Sequence, residues 1–236
     1  MWASESFPQF NSESLNSAVS ILQLQKIIAR VMTQYNFHYY SLYKQSPYPL
    51  TRKKSCCLNC FDDDFNIDNE THNHLLEHME SLSSVIGATP LSWQYNLKET
   101  LPEVWEYFLE KGGRIGYSTI CKTKKREKVV CSFFGVDRYH TINTKGVNEA
   151  ELFASSVSIA NKYSDLAEEG SDVPSLSSRE IEILRWASEG KTSSDIASIL
   201  HLSISTINFH MRNSLEKLAV SNKVAAIAKA ICYNMI

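Results

Sequence analysis

The sequence predicts two domains of different class. The first is an α/β N-terminal domain, an α/β/α sandwich on an antiparallel sheet, and the second an all-α C-terminal domain of four short helices. Three observations lead there. Stretches rich in aromatic and β-branched residues alternate with helical periodicities as far as residue 163. A polar, acidic break with Gly170 and Pro174, "SDLAEEGSDVPS", follows at Ser164–Ser175. Beyond it every strand signal stops. At 236 residues the chain is longer than one compact core usually needs. The expected boundaries are residues 1–163, a linker at 164–175, and 176–236.

From Ser12 to Tyr35, Leu15, Val19, Leu22, Ile27, Ile28 and Val31 fall at helical spacings and predict an amphipathic opening helix. "FHYYSLYK", "GYSTIC" and "EKVVCSFFGV" have strand composition, and "KTKKRE" between the last two reads as an exposed hairpin turn. Helical patterns at Glu70–Ser84, at Pro102–Lys111 with Pro in the first turn, and at Val147–Tyr163 would cover the sheet.

In the tail, Ser177 with Glu180 three residues on forms a capping box, with Ile181, Leu184 and Ala187 as the buried stripe and Gly190 as terminator. Thr192 or Ser193 starts a second helix carrying Ile196, Ala197, Ile199 and Leu200. "HLS" then turns the chain, and Ser203 caps a third helix whose apolar face is Ile207, Met211, Leu215 and Leu218. Ser205, Thr206, Asn208, Phe209, Arg212 and Asn213 face the other way. Amide and hydroxyl groups beside one cation suit the edges of bases, and Arg212 suits guanine or phosphate. Lys191 and Lys217 are candidates for phosphate, and Thr192 is a further DNA-binding candidate. A fourth helix spans Ser221–Asn234, with Val224, Ile227, Ala228 and Ile231 in phase.

The pattern L-S-x-R-E, G-K-T, I-A-x-I-L, L-S-I-S-T-I-x-F-H and K-L in this tail resembles the DNA-binding helix-turn-helix domain of LuxR-type transcription regulators. The resemblance implies that Glu180, Leu184 and Gly190 are mainly structural, that Ser205, Asn208 and Arg212 face bases, and that His210 packs. Residues 171–236 carry seven Lys and Arg against six Asp and Glu, so one copy would hold DNA weakly. A homodimer on half-sites one helical turn apart is therefore expected, using Val147–Tyr163 and the last helix as dimer surfaces.

"NFHYYSLY", "TPLSW" and "EKGGRIGYSTI" are similar, in that order, to the autoinducer-binding domain of quorum-sensing LuxR-type proteins, an α/β/α sandwich that encloses an acyl-homoserine lactone. The similarity implies that Phe61, Phe65 and Trp93 line a pocket, that Gly116 permits close packing, and that Ser132 hydrogen-bonds a ligand. The chain departs from the pattern elsewhere. Reading back from Trp93 without gaps, Phe65 and Asn69 stand where the family has Trp and Tyr, and His78 and Met79 where it has Asp-Pro. Glu77 substitutes for the acid if the register slips by one. A buried carboxylate that accepts an amide proton is not replaced by His without changing the ligand's partner. A divergent solo or orphan member is expected, with a different small molecule or none, and no cofactor. A phosphoacceptor receiver is set aside, because the chain opens with a helix and Asp62–Asp64 follow no apolar strand.

Cys57, Cys60, His74 and His78 fall at C-x2-C-x13-H-x3-H, a spacing that suits tetrahedral zinc, with Cys56 and His72 as spare candidates. Hydrophobic Cys and surface His are the preferred reading, and a zinc or thiol-redox sensor is the competing function. No Walker A loop, G-x-S-x-G elbow or H-E-x-x-H helix is present, so no enzyme is indicated. The first residues have no basic and apolar leader and no apolar run reaches eighteen residues, so a cytoplasmic protein is expected.

Overall fold

The computed structural model describes residues 15–60, 69–86, 90–93, 97–110, 113, 115–135, 148–167 and 175–236. The chain divides into two compact units, Met1–Gln45 with Ser55–Ala167, and Ser46–Lys54 with Glu168–Ile236.

In the first unit α1 (Ile21–Tyr35) starts at Ser20, whose hydroxyl accepts the Gln23 N–H at 3.3 Å. The described helix therefore begins later than Ser12, and Val19 and Leu22 are exposed rather than part of the buried stripe. Leu24, Ile27, Ile28, Val31, Met32 and Tyr35 form that stripe. Strands β1 (Tyr39–Gln45), β2 (Ser55–Asn59), β3 (Leu91–Ser92), β4 (Ile115–Lys122) and β5 (Lys128–Gly135) make one antiparallel sheet in the order β2-β1-β5-β4-β3. The sheet has two strands, β2 and β3, that composition alone does not announce.

Two helical layers cover the sheet. On one face, α1 and α4 (Glu149–Leu166) bury Leu42, Tyr117, Val129, Cys131 and Phe133 against Leu24, Ile28, Leu152, Ile159 and Tyr163. On the other, α2 (Asn69–Ile86) and α3 (Pro102–Glu110) supply Leu75, Leu76, Met79, Val104 and Phe108 against Tyr43, Trp93, Val130 and Phe134. Asn148 caps α4, and the helix continues to Leu166, three residues into the stretch with linker composition. Its end is held by polar groups. The buried Lys44 ammonium meets the Glu127 carboxylate at 3.2 Å and donates to the Ala167 carbonyl at 3.3 Å. Ser164 donates a short hydrogen bond to Glu127.

The second unit holds α5 (Ser178–Ser188), α6 (Ser193–Leu200), α7 (Ile204–Lys217) and α8 (Lys223–Cys232). Ser177, Thr192, Ser203 and Asn222 cap them in turn, the first two as reciprocal capping boxes with Glu180 and Asp195. Gly190, at φ 87°, follows the end of α5 where a side chain would be strained. The buried face of α5 is Glu180, Ile183, Leu184 and Ala187, so the predicted stripe is corrected at one position: Ile181 is only half-buried and Ile183 takes its place. Ile183, Ala187, Ile196, Ala197 and Ile207 form one small core, and Leu184, Leu218, Ala226 and Ala230 another.

Candidate nucleic-acid interface and ligand face

Two helices joined by a tight turn present α7. His201 ends α6 in the left-handed region at φ 52°, and α7 starts two residues later at the Ser203 cap. Ile207, Ser214 and Leu218 turn inward. Ser205, Asn208, Phe209, Arg212 and Glu216 are exposed at i, i+3, i+4, i+7 and i+11, one stripe along the helix.

Within the stripe the polar groups differ in how far they are already engaged. Ser205 and Thr206 hydroxyls lie 2.7 and 2.8 Å from the Ser203 Oγ, which also accepts the Thr206 N–H. The Asn208 side-chain amide has no hydrogen-bond partner among the described residues. Arg212 has no carboxylate partner among them, and its guanidinium sits 5.8 Å over the Phe209 ring. The groups best able to take new partners are thus Asn208 and Arg212.

The candidate phosphate contacts are arranged differently. Thr192 is the α6 cap, its hydroxyl accepting the Asp195 N–H and donating to the Asp195 carboxylate. Lys191, half-buried, holds the Lys223 ammonium on its carbonyl at 2.9 Å, a cation that sequence reading did not single out. The Lys217 ammonium lies 2.8 Å from the nearly buried Glu180 carboxylate, which also accepts the Ser177 N–H at 2.7 Å. Burial pushes the Glu180 carboxyl up, but Lys217 and the bonds from Ser177 outweigh it and leave the group below its ordinary value. Lys217 therefore ties α7 to α5 in addition to any contact outside the protein.

On the α2 and α3 face of the sheet, three buried serines stand side by side across the strands. Ser41 of β1 pairs in register with Ser132 of β5, and Ser132 with Ser118 of β4. Trp93 Nε1–H donates to Ser118 Oγ at 2.9 Å, and Ser118 and Ser132 hydroxyls are 2.7 Å apart. Ser41 Oγ is 2.9 Å from His72 Nε2, and the imidazole is stacked on Tyr43 at 4.6 Å between centroids. Trp93 stacks with Phe108 at 4.0 Å and with Phe134 at 4.9 Å, the two phenylalanine rings being 5.9 Å apart. A Cβ on Gly116 would lie 2.5 Å from the Trp93 ring, so this glycine is what lets the indole lie flat on the sheet. Phe61 and Phe65 lie outside the described residues.

The candidate zinc ligands are not brought together. Cys57 Sγ is 3.4 Å from Ser41 Oγ and 3.9 Å from His72 Nε2, and burial raises its thiol. Cys56 Sγ accepts the Tyr163 hydroxyl, and Cys60 Sγ accepts the Tyr40 N–H at 3.3 Å. His74 is exposed, and His78 Nε2 pairs with Thr100 Oγ1 at 2.8 Å. Among the described residues no three His, Cys, Asp or Glu side chains converge on a metal position. The histidine that faces the serine row is His72, not His78.

Residues 174–230 match the family described as "Bacterial regulatory proteins, luxR family". The transcriptional activator protein AnoR of Acinetobacter nosocomialis is 25% identical over 228 residues, 91% of this chain and 92% of that protein. The transcriptional activator protein SolR of Ralstonia solanacearum is 51% identical over 61 residues, 26% of each chain. The crystal structure of Escherichia coli SdiA superposes with a TM-score of 0.72 at 24% identity, covering 95% of both chains. SdiA has also been solved in complex with octanoyl-rac-glycerol. Residues 174–230 thus carry the luxR-family helix-turn-helix, and along its length the chain is similar in sequence to LuxR-type transcriptional activators and in fold to SdiA.

Proposed function

We propose that the protein binds a two-fold symmetric DNA site as a homodimer and regulates transcription in response to a small molecule held between the sheet and α2. The observation that carries the DNA half is the exposed stripe of α7, where the Asn208 amide and the Arg212 guanidinium have no polar partner among the described residues. Asn pairs with adenine N6 and N7, and Arg with guanine O6 and N7. Ser205 and Thr206 add hydroxyls, and Lys191, Thr192 and Lys217 are the proposed backbone contacts that would fix the register. Replacing Arg212 with Ala should abolish selective binding in a gel-shift or anisotropy titration against random competitor DNA. Unchanged selectivity would refute this face.

Dimerisation is supported by α8, where Val224 is 75% and Ile231 50% exposed in one apolar stripe. The domain boundaries we favour remain 1–163, 164–175 and 176–236. Among the described residues no helix is long and apolar enough to cross a membrane. A cytoplasmic location is part of this proposal.

The ligand half rests on the serine row. Three buried hydroxyls flanked by Trp93 and His72 interrupt an apolar sheet face, which suits the polar end of a mostly apolar molecule. The row's hydroxyls bond Trp93, Cys57, His72 and one another, and no carboxylate among the described residues bonds them. Ordinary acyl-homoserine lactone recognition through an acid is therefore disfavoured, and Ser41, Ser132 and His72 are the proposed polar contacts. Native against denatured mass of the purified protein tests this. An organic adduct supports it, a zinc mass lost in the Cys57→Ser, Cys60→Ser variant replaces it with metal sensing, and no adduct after incubation with lipid extracts points to an orphan regulator.

A further inference from the structure

Phe209 is an odd residue for its position. It is 50% exposed on a helix face otherwise made of Ser205, Asn208, Arg212 and Glu216. Among the described residues its ring pairs with neighbours on the same helix, the His210 ring edge-on at 5.6 Å and the Arg212 guanidinium at 5.8 Å. Neither small core of this unit includes it. An aromatic ring that the core does not use, on the stripe that meets DNA, has a chemical counterpart in the major groove. The thymine 5-methyl is the apolar group displayed there, and Phe is among the side chains that contact it.

We infer that Phe209 is a specificity-determining residue, its ring packing on the 5-methyl of a thymine in the base pair next to the guanine that Arg212 reads, while the ring face orients the guanidinium. The separation supports neighbouring pairs. Ring and guanidinium are 5.8 Å apart, which a single step of about 3.4 Å along the axis plus a lateral offset accommodates. The cation over the ring face also restricts Arg212 before binding, so that less side-chain freedom is lost when its planar fork meets guanine. This inference rests on the proposed recognition face.

The test begins with selection of the full-length chain on duplexes of randomised sequence. Each thymine of the selected half-site is then replaced singly by deoxyuridine, which removes only the methyl. For the wild-type protein one position should lose about fourfold in affinity, the worth of one buried methyl, beside the pair whose preference disappears in Arg212→Ala. Phe209→Ala should bind the thymine duplex more weakly and no longer distinguish it from the deoxyuridine one, whereas Phe209→Leu should keep part of the distinction. Because the ring is outside the core, the variants should keep the wild-type thermal transition. If no deoxyuridine position matters to the wild type, or if the distinction survives in Phe209→Ala, the inference is overturned. If selection returns no preferred sequence, or Arg212→Ala selects the same one, the recognition face itself is wrong and Phe209 falls with it.

Discussion

Replacing Glu180 with Ala should loosen the DNA-binding unit far more than its place near the start of a helix suggests. The carboxylate is 3% exposed, accepts the Ser177 N–H at 2.7 Å and the Lys217 ammonium at 2.8 Å, and so joins the start of α5 to the end of α7. Loss of the reciprocal cap costs about 1 kcal/mol. Loss of a charge-assisted hydrogen bond costs about 1.5–3 kcal/mol, to be reduced here because Lys217 is 43% exposed and rehydrates. The sum is about 2–3 kcal/mol. Glu180→Gln, which keeps the shape and the acceptor for Ser177, should cost about 1 kcal/mol. Hydrogen exchange read by mass spectrometry on peptides of the tail localises the effect, and 2–3 kcal/mol corresponds to exchange about 30- to 150-fold faster. Lys217→Ala should cost less than Glu180→Ala, and the double variant less than the sum. The pH dependence has a definite sign. Since the folded carboxyl titrates below its ordinary value, its stabilisation is complete above the ordinary value and disappears as pH falls through the lowered one. Wild type and Glu180→Gln should therefore converge in acid. Equal protection in wild type and Glu180→Ala near neutral pH would refute the reasoning.

Two other perturbations address the first unit. Gly116→Ala puts a Cβ 2.5 Å from a Trp93 ring packed against Phe108 and Phe134, and should cost about 1–3 kcal/mol, seen as a melting temperature lower by roughly 2–12 °C. Adding Trp93→Phe should return part of the loss, and an unchanged melting temperature in the single variant would contradict the close packing. Lys44→Met leaves the Glu127 carboxylate buried with Ser164 as its remaining partner and should cost about 3–5 kcal/mol in urea unfolding, reduced when Glu127→Gln is added. Equal losses in the single and double variants would argue against a paired charge.

The helices of the second unit were legible because their signals are local. A cap hydroxyl three residues before its acceptor N–H can be read along the chain, and Ser177, Thr192 and Ser203 cap as their positions suggest. Strand β2 was not legible, since "SCCLN" has no strong strand composition and its place is fixed by pairing with β1, from Ser41 opposite Asn59 to Gln45 opposite Ser55. The opening helix differs for another reason: Val19 and Leu22 have helical spacing, yet no described residue covers them enough to bury them.

His72, by its spacing only a spare candidate, is the instructive case. The zinc-like spacing drew attention to His74 and His78, one helical turn apart, yet the phase of α2 is set by Leu75, Leu76 and Met79. His72 lies three, four and seven residues before them and shares their face, whereas His74 falls off it. Periodicity could have found the buried histidine. Nothing along the chain shows that Ser41, Ser118 and Ser132 meet, because that depends on the register of three strands.

That same register gives the hydroxyls a part in folding. A slip of one residue between β1 and β5 would turn one strand's side chains to the opposite face. An apolar sheet face of Phe, Val and Leu tolerates such errors when volumes are similar, for one greasy contact replaces another. A hydroxyl does not, since losing its neighbour leaves a buried donor or acceptor unmet at about 1–3 kcal/mol. A mispaired β4 or β5 separates the Ser118 and Ser132 hydroxyls, and a mispaired β1 takes the Ser41 hydroxyl away from His72 and Cys57. The row thus works as a proofreading mark, making the native alignment of the central strands distinguishable from its near neighbours while the sheet is still assembling.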